Sequence, residues 1–385
     1  MGETFKEKLT RIFRDSEYRE ILHGSAWSLG TKVVSLGAGY INTLLVARLL
    51  GAEVVGVNSL TVSFFAIVGL VAGLGFPTAL VRFASQYEND SALGGIVRKV
   101  VLTSFLFASF VSLLVIIFSR WIALDVFAEP LLRIYFILYA VVFPFSVAGG
   151  EFIETIRGLR KINVSESIRN SMSLINFFSI LLLYYVFKVR ETLPAVANVI
   201  IVMTVFSVAL IMFLKIFRKR EIKAHSSVPF KVVLETALPL LLTSSMMVII
   251  ANTDKLMLGY FSNSKEVGIY SIAYKLSLLA SIAVTSVNMI LAPKISQLYW
   301  SCRIEELKRV VRFGARLFFY SSLPVMLLYL ILPDFILGIF GKEFTAGKYV
   351  LIILSFSQMI NAFSGPVGYF LMMTGREKVF RNIVV

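Results

Sequence analysis

The chain has 385 residues, of which 57% are hydrophobic and 16% charged, with a mean hydropathy of +0.82 and a formal net charge of +15. Soluble domains are about half apolar and about a quarter charged, so this composition excludes an ordinary water-soluble globule and points to a polytopic membrane protein. The single cysteine, Cys302, excludes an internal disulfide framework and a cysteine metal site.

Residues 3–22, "ETFKEKLTRIFRDSEYREIL", place Phe5, Leu9, Ile12, Phe13 and Leu22 at roughly helical spacing among charges, which predicts a short amphipathic helix on the cytoplasmic face. Apolar segments, each near the ~20 residues of a bilayer span, follow at 25–48, 55–81, 100–119, 131–156, 168–187, 193–214, 236–260, 267–292, 313–332 and 347–373. The expected fold class is an all-α transmembrane bundle of ten spans with short connections. The charged segment before the first span does not read as a cleaved signal peptide.

Lysine and arginine collect in cytoplasmic loops. The even-numbered connections carry Arg82, Arg98 and Lys99; Arg157, Arg160 and Lys161; Lys215, Arg218, Lys219, Arg220 and Lys223; Arg303, Lys308, Arg309 and Arg312; then Arg376, Lys378 and Arg381. The odd connections carry few, so the N-terminus is expected in the cytoplasm. Bases dispersed in this way suit anionic lipid head groups and not nucleic acid.

Chemistry of the enzyme kind finds no support in the chain. There is no Gly-x-x-x-x-Gly-Lys phosphate loop and no His-Glu-x-x-His pattern, and His23 and His225 are the only histidines. Loops such as "KVRETL" and "SNSKE" are too short to gather the acids and bases that a membrane glycosyltransferase requires. No catalytic residue, metal site, cofactor or resident ATPase is expected.

An internal repeat organises the spans. "VGVNSL" at 55–60 is echoed by "VGIYSI" at 267–272, "INT" at 41–43 by "ANT" at 251–253, "RKVV" at 98–101 by "KRVV" at 308–311, and "RGLRK" at 157–161 by "TGREK" at 374–378. The period covers six spans, an even number, so both copies have the same topology and should be related by an axis along the membrane normal. The expected organisation is an N-terminal segment 1–24, a six-helix bundle 25–220, a cytoplasmic linker 221–235 and a four-helix second bundle 236–385. Two spans follow "RGLRK" and none follows "TGREK", so the second half is expected to be short by two helices, leaving an apolar lateral surface on the spans at 313–332 and 347–373.

The segments "ARLLGAEVVGVNSLTVSFFAIVGLVAGLGFPTALVRFASQY" (47–87), "NTDKLMLGYFSNSKEVGIYSIAYKL" (252–276) and "LMMTGREKVFRNI" (371–383) resemble the polysaccharide transporter family. These are the O-antigen flippase-like members of the multidrug/oligosaccharidyl-lipid/polysaccharide exporter superfamily. The resemblance implies a two-bundle transporter of twelve to fourteen helices that turns lipid-linked oligosaccharides from the cytoplasmic to the outer leaflet.

The candidate substrate-cavity residues are polar positions within spans. Asp254 and Lys255 lie about seven residues from the outer end of their span, roughly 10 Å deep. Neighbours on a helix do not share a face; Lys255 can snorkel, whereas Asp254 is too short to do so and calls for a cavity or a partner. Lys32 in the first span and Lys275 in the eighth flank the inter-bundle face in this family, where cations would meet a lipid pyrophosphate. The repeat-related Asn42 and Asn252 suit sugar hydroxyls or a neighbouring helix, the latter being favoured, and Arg48 and Arg82 fall at span ends as interface anchors. A coupling proton or sodium ion is the other expected partner, with Asp254 its candidate carrier. Glycine and proline at Gly69, Gly73, Gly75 and Pro77, at Pro144, Gly149 and Gly150, and at Gly365, Pro366 and Gly368 mark helix breaks. A drug/cation antiporter of the multidrug and toxin extrusion type, and a non-transporting partner in envelope polysaccharide assembly, are the alternatives.

Overall fold

The computed structural model describes residues 16–87, 92–217, 229–376 and Val379. The amphipathic positions Phe5, Leu9, Ile12 and Phe13 and the linker residues 221–228 lie outside the described residues. Among the described residues every regular element is helical, as a membrane demands of a chain that builds no closed barrel.

The helices are α1 (Ser16–Gly73), α2 (Phe76–Gln86), α3 (Ala92–Trp121), α4 (Pro130–Gly158), α5 (Ile162–Leu181), α6 (Leu193–Phe217), α7 (Phe230–Phe261), α8 (Ser264–Ser277), α9 (Leu279–Trp300), α10 (Ile304–Ile331), α11 (Pro333–Gly338), α12 (Lys348–Ser364) and α13 (Val367–Met373). Short π-helical turns extend α3 over Ile122–Val126 and α5 over Leu182–Val186, and a 3-10 turn covers Lys342–Gly347. Six helices among the described residues are long and apolar enough to cross a membrane; the bent pair Phe230–Leu242 and Ser245–Phe261, inclined at 45°, makes a seventh if read as one span. This differs from the expected ten for visible reasons. The first two expected spans are counted together because α1 continues across the non-helical Gly51 that lies between them, the eighth is divided between α8 and α9 at Leu278, the tenth between α12 and α13, and α5 carries Glu166 and Arg169 in its first half.

Two compact units divide at Val267 and Gly268. In the first, α1 packs most broadly on α5, α3 on α4, α4 on α6, and α7 lies against α1 and α2. One apolar core gathers Phe76, Leu80, Leu93, Ile156 and Ala237 from α2, α3, α4 and α7, and a second gathers Leu60, Leu132, Tyr135 and Phe136 from α1 and α4. In the second unit α9 packs on α10, α10 on α12, and α9 on α13. Here Ile295, Leu307 and Phe318 form the core, and the Tyr329 hydroxyl donates to the Leu276 carbonyl at 2.8 Å. Phe313, Tyr320 and Ile331 on α10, and Tyr349, Ile353 and Phe363 on α12, are exposed.

Glycine is required at two breaks. Gly51, at φ 82° and ψ 178°, interrupts the helical backbone of α1 in a region that side chains rarely enter. Gly75, at φ 74°, separates α1 from α2 where a Cβ would stand 2.3 Å from the Ala237 carbonyl oxygen, so α7 crosses in near contact with that backbone. Pro77 then occupies the first turn of α2, where its missing N–H costs nothing. Gly365 and Pro366 likewise part α12 from α13, whereas α4 runs unbroken through Pro144.

Candidate functional site

Lys32, Asn42, Asn252, Asp254 and Lys255 belong to the first unit and Lys275 to the second. Lys32 is exposed on α1 between Thr31 and Val33, ten residues before Asn42 and so about 15 Å from it along the helix. It adjoins a polar seam. Asn170 of α5 donates through Nδ2 to Thr31 Oγ1 at 3.0 Å, the Ser35 and Ser173 hydroxyls meet at 3.0 Å, and Asn42 Nδ2 donates to the Ser173 carbonyl at 2.7 Å. Asn42 is 4% exposed and spends an amide N–H on this helix contact.

On α7 the three candidates are half-buried and bond to their own helix. Asn252 Nδ2 donates to the Val248 carbonyl at 2.8 Å, and Lys255 Nζ to the Ala251 carbonyl at 3.0 Å. Asp254 Oδ1 accepts from the Lys255 backbone N–H at 2.8 Å, and its carboxylate is the charged neighbour of the Lys255 ammonium. The adjacent acid and base that no single helix face could hold are thus reconciled locally. The ammonium folds back one turn and the carboxylate caps the next amide.

Lys275 stands on α8 directly after Tyr274, whose ring stacks on that of Tyr270 with centroids 6.1 Å apart, and just before Leu276 and Ser277, both buried. It is itself half-buried at the end of α8, two residues short of the last helical position.

Sequence reasoning missed Glu151. Its side chain is 0% exposed in the body of α4, and neither carboxylate oxygen accepts a hydrogen bond among the described residues. Ser104 of α3 is its polar neighbour, but that hydroxyl donates along its own helix to Val100 at 2.9 Å. The available signal was an acid five residues inside the expected end of the fourth span. Three residues on, Glu154 ties α4 to α5 through Arg169 at 2.5 Å and meets Arg157 at 3.5 Å. Among the described residues no three His, Cys, Asp or Glu side chains are grouped to hold a metal ion.

A family model described as "Polysaccharide biosynthesis protein" matches residues 21–299, and a second, MatE, matches residues 239–385. The capsular polysaccharide biosynthesis protein CapF of Staphylococcus aureus is 24% identical over 214 residues, covering 54% of each chain, so the chain spans about half the length of this curated relative. Among solved structures, an inward-facing multidrug resistance MATE family transporter of the MOP superfamily superposes with TM-score 0.72 at 15% identity, covering 91% of this chain and 83% of that one. A MOP superfamily transporter from Pyrococcus furiosus gives TM-score 0.63 at 15% identity, with coverage of 93% and 82%. A mutant of the Vibrio cholerae MATE transporter VcmN gives 0.61 at 14%, with coverage of 95% and 86%. At these identities the likenesses show the fold, while the family match extends over more than half of the chain. The protein is therefore a multi-pass membrane protein that belongs to the polysaccharide biosynthesis family.

Proposed function

We propose that the protein flips lipid-linked oligosaccharide repeat units from the cytoplasmic to the outer leaflet of the cell membrane during the assembly of surface polysaccharide. The observation that carries this reading is the polysaccharide family match over residues 21–299 on a chain whose fold is that of a transporter. The N-terminus lies in the cytoplasm, and anionic head groups solvate the basic loops. Lys32 and Lys275 attract the phosphate or acidic sugars of the substrate, and Asn42 and Asn252 border its path. Asp254, with Lys255 beside it, carries the coupling proton or sodium ion. A fixed charge at membrane depth costs on the order of 3 kcal/mol even on the lenient insertion scale, so a lysine retained there calls for water, a partner or an anionic substrate.

The test is translocation of a fluorescent polyprenyl-pyrophosphate saccharide in proteoliposomes, read by the fraction of label accessible to a membrane-impermeant quencher. Lys32→Ala and Lys275→Ala each slow translocation while insertion is unchanged, and Lys→Arg at either position retains more activity than Lys→Ala. Full activity of both alanine variants would sink the assignment of these lysines. Transport of organic cations with none of the lipid-linked saccharide would replace the flippase by an antiporter.

A further inference from the structure

The match of "RKVV" at 98–101 with "KRVV" at 308–311 sets α3 and α10 in register. Burial keeps that register: Val97 and Leu307, Ser104 and Gly314, Ala108 and Phe318, and Ser112 and Ser322 are buried at matching places. The opposite face is exposed on both helices. On α3 it carries Leu102, Leu106 and Phe110, of which Leu102 is 56% and Leu106 61% exposed. On α10 the same places hold Arg312, Arg316 and Tyr320, with Arg309 one turn earlier and Phe313 between, all exposed. Among the described residues no acid pairs with these three arginines. Glu305 lies in the field of Arg309 and Arg312, but its carboxylate accepts from Lys308 at 2.8 Å, and Glu306 is held by Arg303 at 2.6 Å.

We propose that this face of α10 is a discrete seat for one anionic phospholipid, whose phosphate is held between Arg312 and Arg316. The two arginines are four residues apart, so they stand one above the other about 6 Å apart along the helix. A guanidinium is weakly hydrated and presents a planar fork that grips phosphate oxygens bidentately, which suits it to a phosphate met at the edge of the hydrocarbon. A charge at that depth without water or a partner is costly, and the leucines at the matching places on α3 show that this architecture does not itself require a base there. An anionic lipid is favoured over a zwitterionic one because the latter brings its own ammonium, whereas three arginines without an acid leave positive charge to be neutralised. Beyond Arg316 the same side of α10 turns apolar through Tyr320, Leu327 and Ile331, all exposed, and so offers a track for the acyl chain. The seat lies within a span, unlike the basic loops that attract head groups in general, and it is independent of the transported substrate.

The test uses the full chain with Cys302→Ser, reconstituted in phosphatidylcholine vesicles, with a fluorophore on a single cysteine at Tyr320→Cys or, as the control on α3, at Phe110→Cys. The probe is phosphatidylglycerol or phosphatidylcholine brominated at mid-chain, each at the same low mole fraction, and quenching reads which lipid lies beside the label. At 320 the anionic lipid is expected to bind with a preference of roughly fivefold or more, since each surface arginine contributes about 1 kcal/mol towards anionic lipid, while at 110 the two lipids should quench alike. Arg312→Gln with Arg316→Gln should abolish the preference at 320, and Arg312→Lys with Arg316→Lys, which keeps the charge without the fork, should retain part of it. All four positions are exposed, and unchanged quenching at 110 in each variant confirms that the fold is intact. No preference at 320 would mean that the arginines only reach for the interface. A preference surviving in the glutamine variant would assign it to the basic surface as a whole. Displacement of the brominated phosphatidylglycerol by an equal amount of a polyprenyl-pyrophosphate saccharide would assign the face to the transported lipid. Any of these three results overturns the proposal.

Discussion

Replacing Gly75 by alanine tests how closely α7 crosses the break between α1 and α2. The added Cβ would fall 2.3 Å from the Ala237 carbonyl oxygen and 3.0 Å from both the backbone nitrogen and Cβ of Leu241. Two of these three neighbours are helix backbone, which cannot swing aside as a side chain can. The left-handed φ of 74° costs a residue other than glycine about 1–2 kcal/mol, and forcing a methyl into a packed contact adds about 1–3 kcal/mol. The sum is a loss of about 2–5 kcal/mol. At about 2 °C per kcal/mol, the lower end of the scale for larger domains, the apparent unfolding midpoint falls by about 4–10 °C. Gly73 is the control two residues away, since its Cβ would meet only Pro77 at 3.8 Å, an ordinary contact. Gly73→Ala should be neutral or gain up to about 1 kcal/mol from helix propensity. The assay is the monodisperse fraction surviving heating in detergent at a fixed heating rate, because unfolding of such a protein is read as a rate. Midpoints for Gly75→Ala and Gly73→Ala within about 1 °C of each other would refute the close crossing.

Two further perturbations follow from the buried and half-buried charges. Glu151→Gln keeps the shape without the charge and should preserve the yield of folded protein, whereas Glu151→Lys places a longer charged chain in a site with no partner among the described residues and costs about 3–5 kcal/mol; equal yields on size exclusion would count against the burial of this site. For Glu154 and Arg169, whose side chain is 42% exposed, a double-mutant cycle with alanine should return a coupling of only about 0.2–1 kcal/mol, and a larger value would show that the pair clamps α4 to α5 more firmly than its exposure allows.

Much of the architecture could be read along the chain. The sustained apolar segments, the alternation of basic loops and the repeated peptides are all local or periodic signals, so the helical membrane class and the family were legible. Helix breaks were partly legible. Glycine close to proline foretold the interruptions at Gly75 and Gly365, but the same reading at Pro144 met a continuous α4 in which Pro144 itself is buried. The candidate site was less legible, because a polar residue inside a span announces a cost without naming what offsets it. For Asn42 the partner proved to be a carbonyl 131 residues away, and for Asn252 a carbonyl one turn back on the same helix.

By itself the sequence determined that this protein is a helical membrane protein, since hydropathy and charge bias are sums over neighbouring residues that any fold of the chain must obey. Only the tertiary structure decided that Ser35 and Asn42 are engaged by α5 while Ser245 and Asn252 bond back to carbonyls of their own helix, that Glu151 is wholly enclosed, and that Gly75 lies against the backbone of α7. These facts depend on which distant segments come to lie side by side. Two asparagines in almost the same local sequence therefore end with different partners, because the hydrogen bond each makes is set by the helix packed against it.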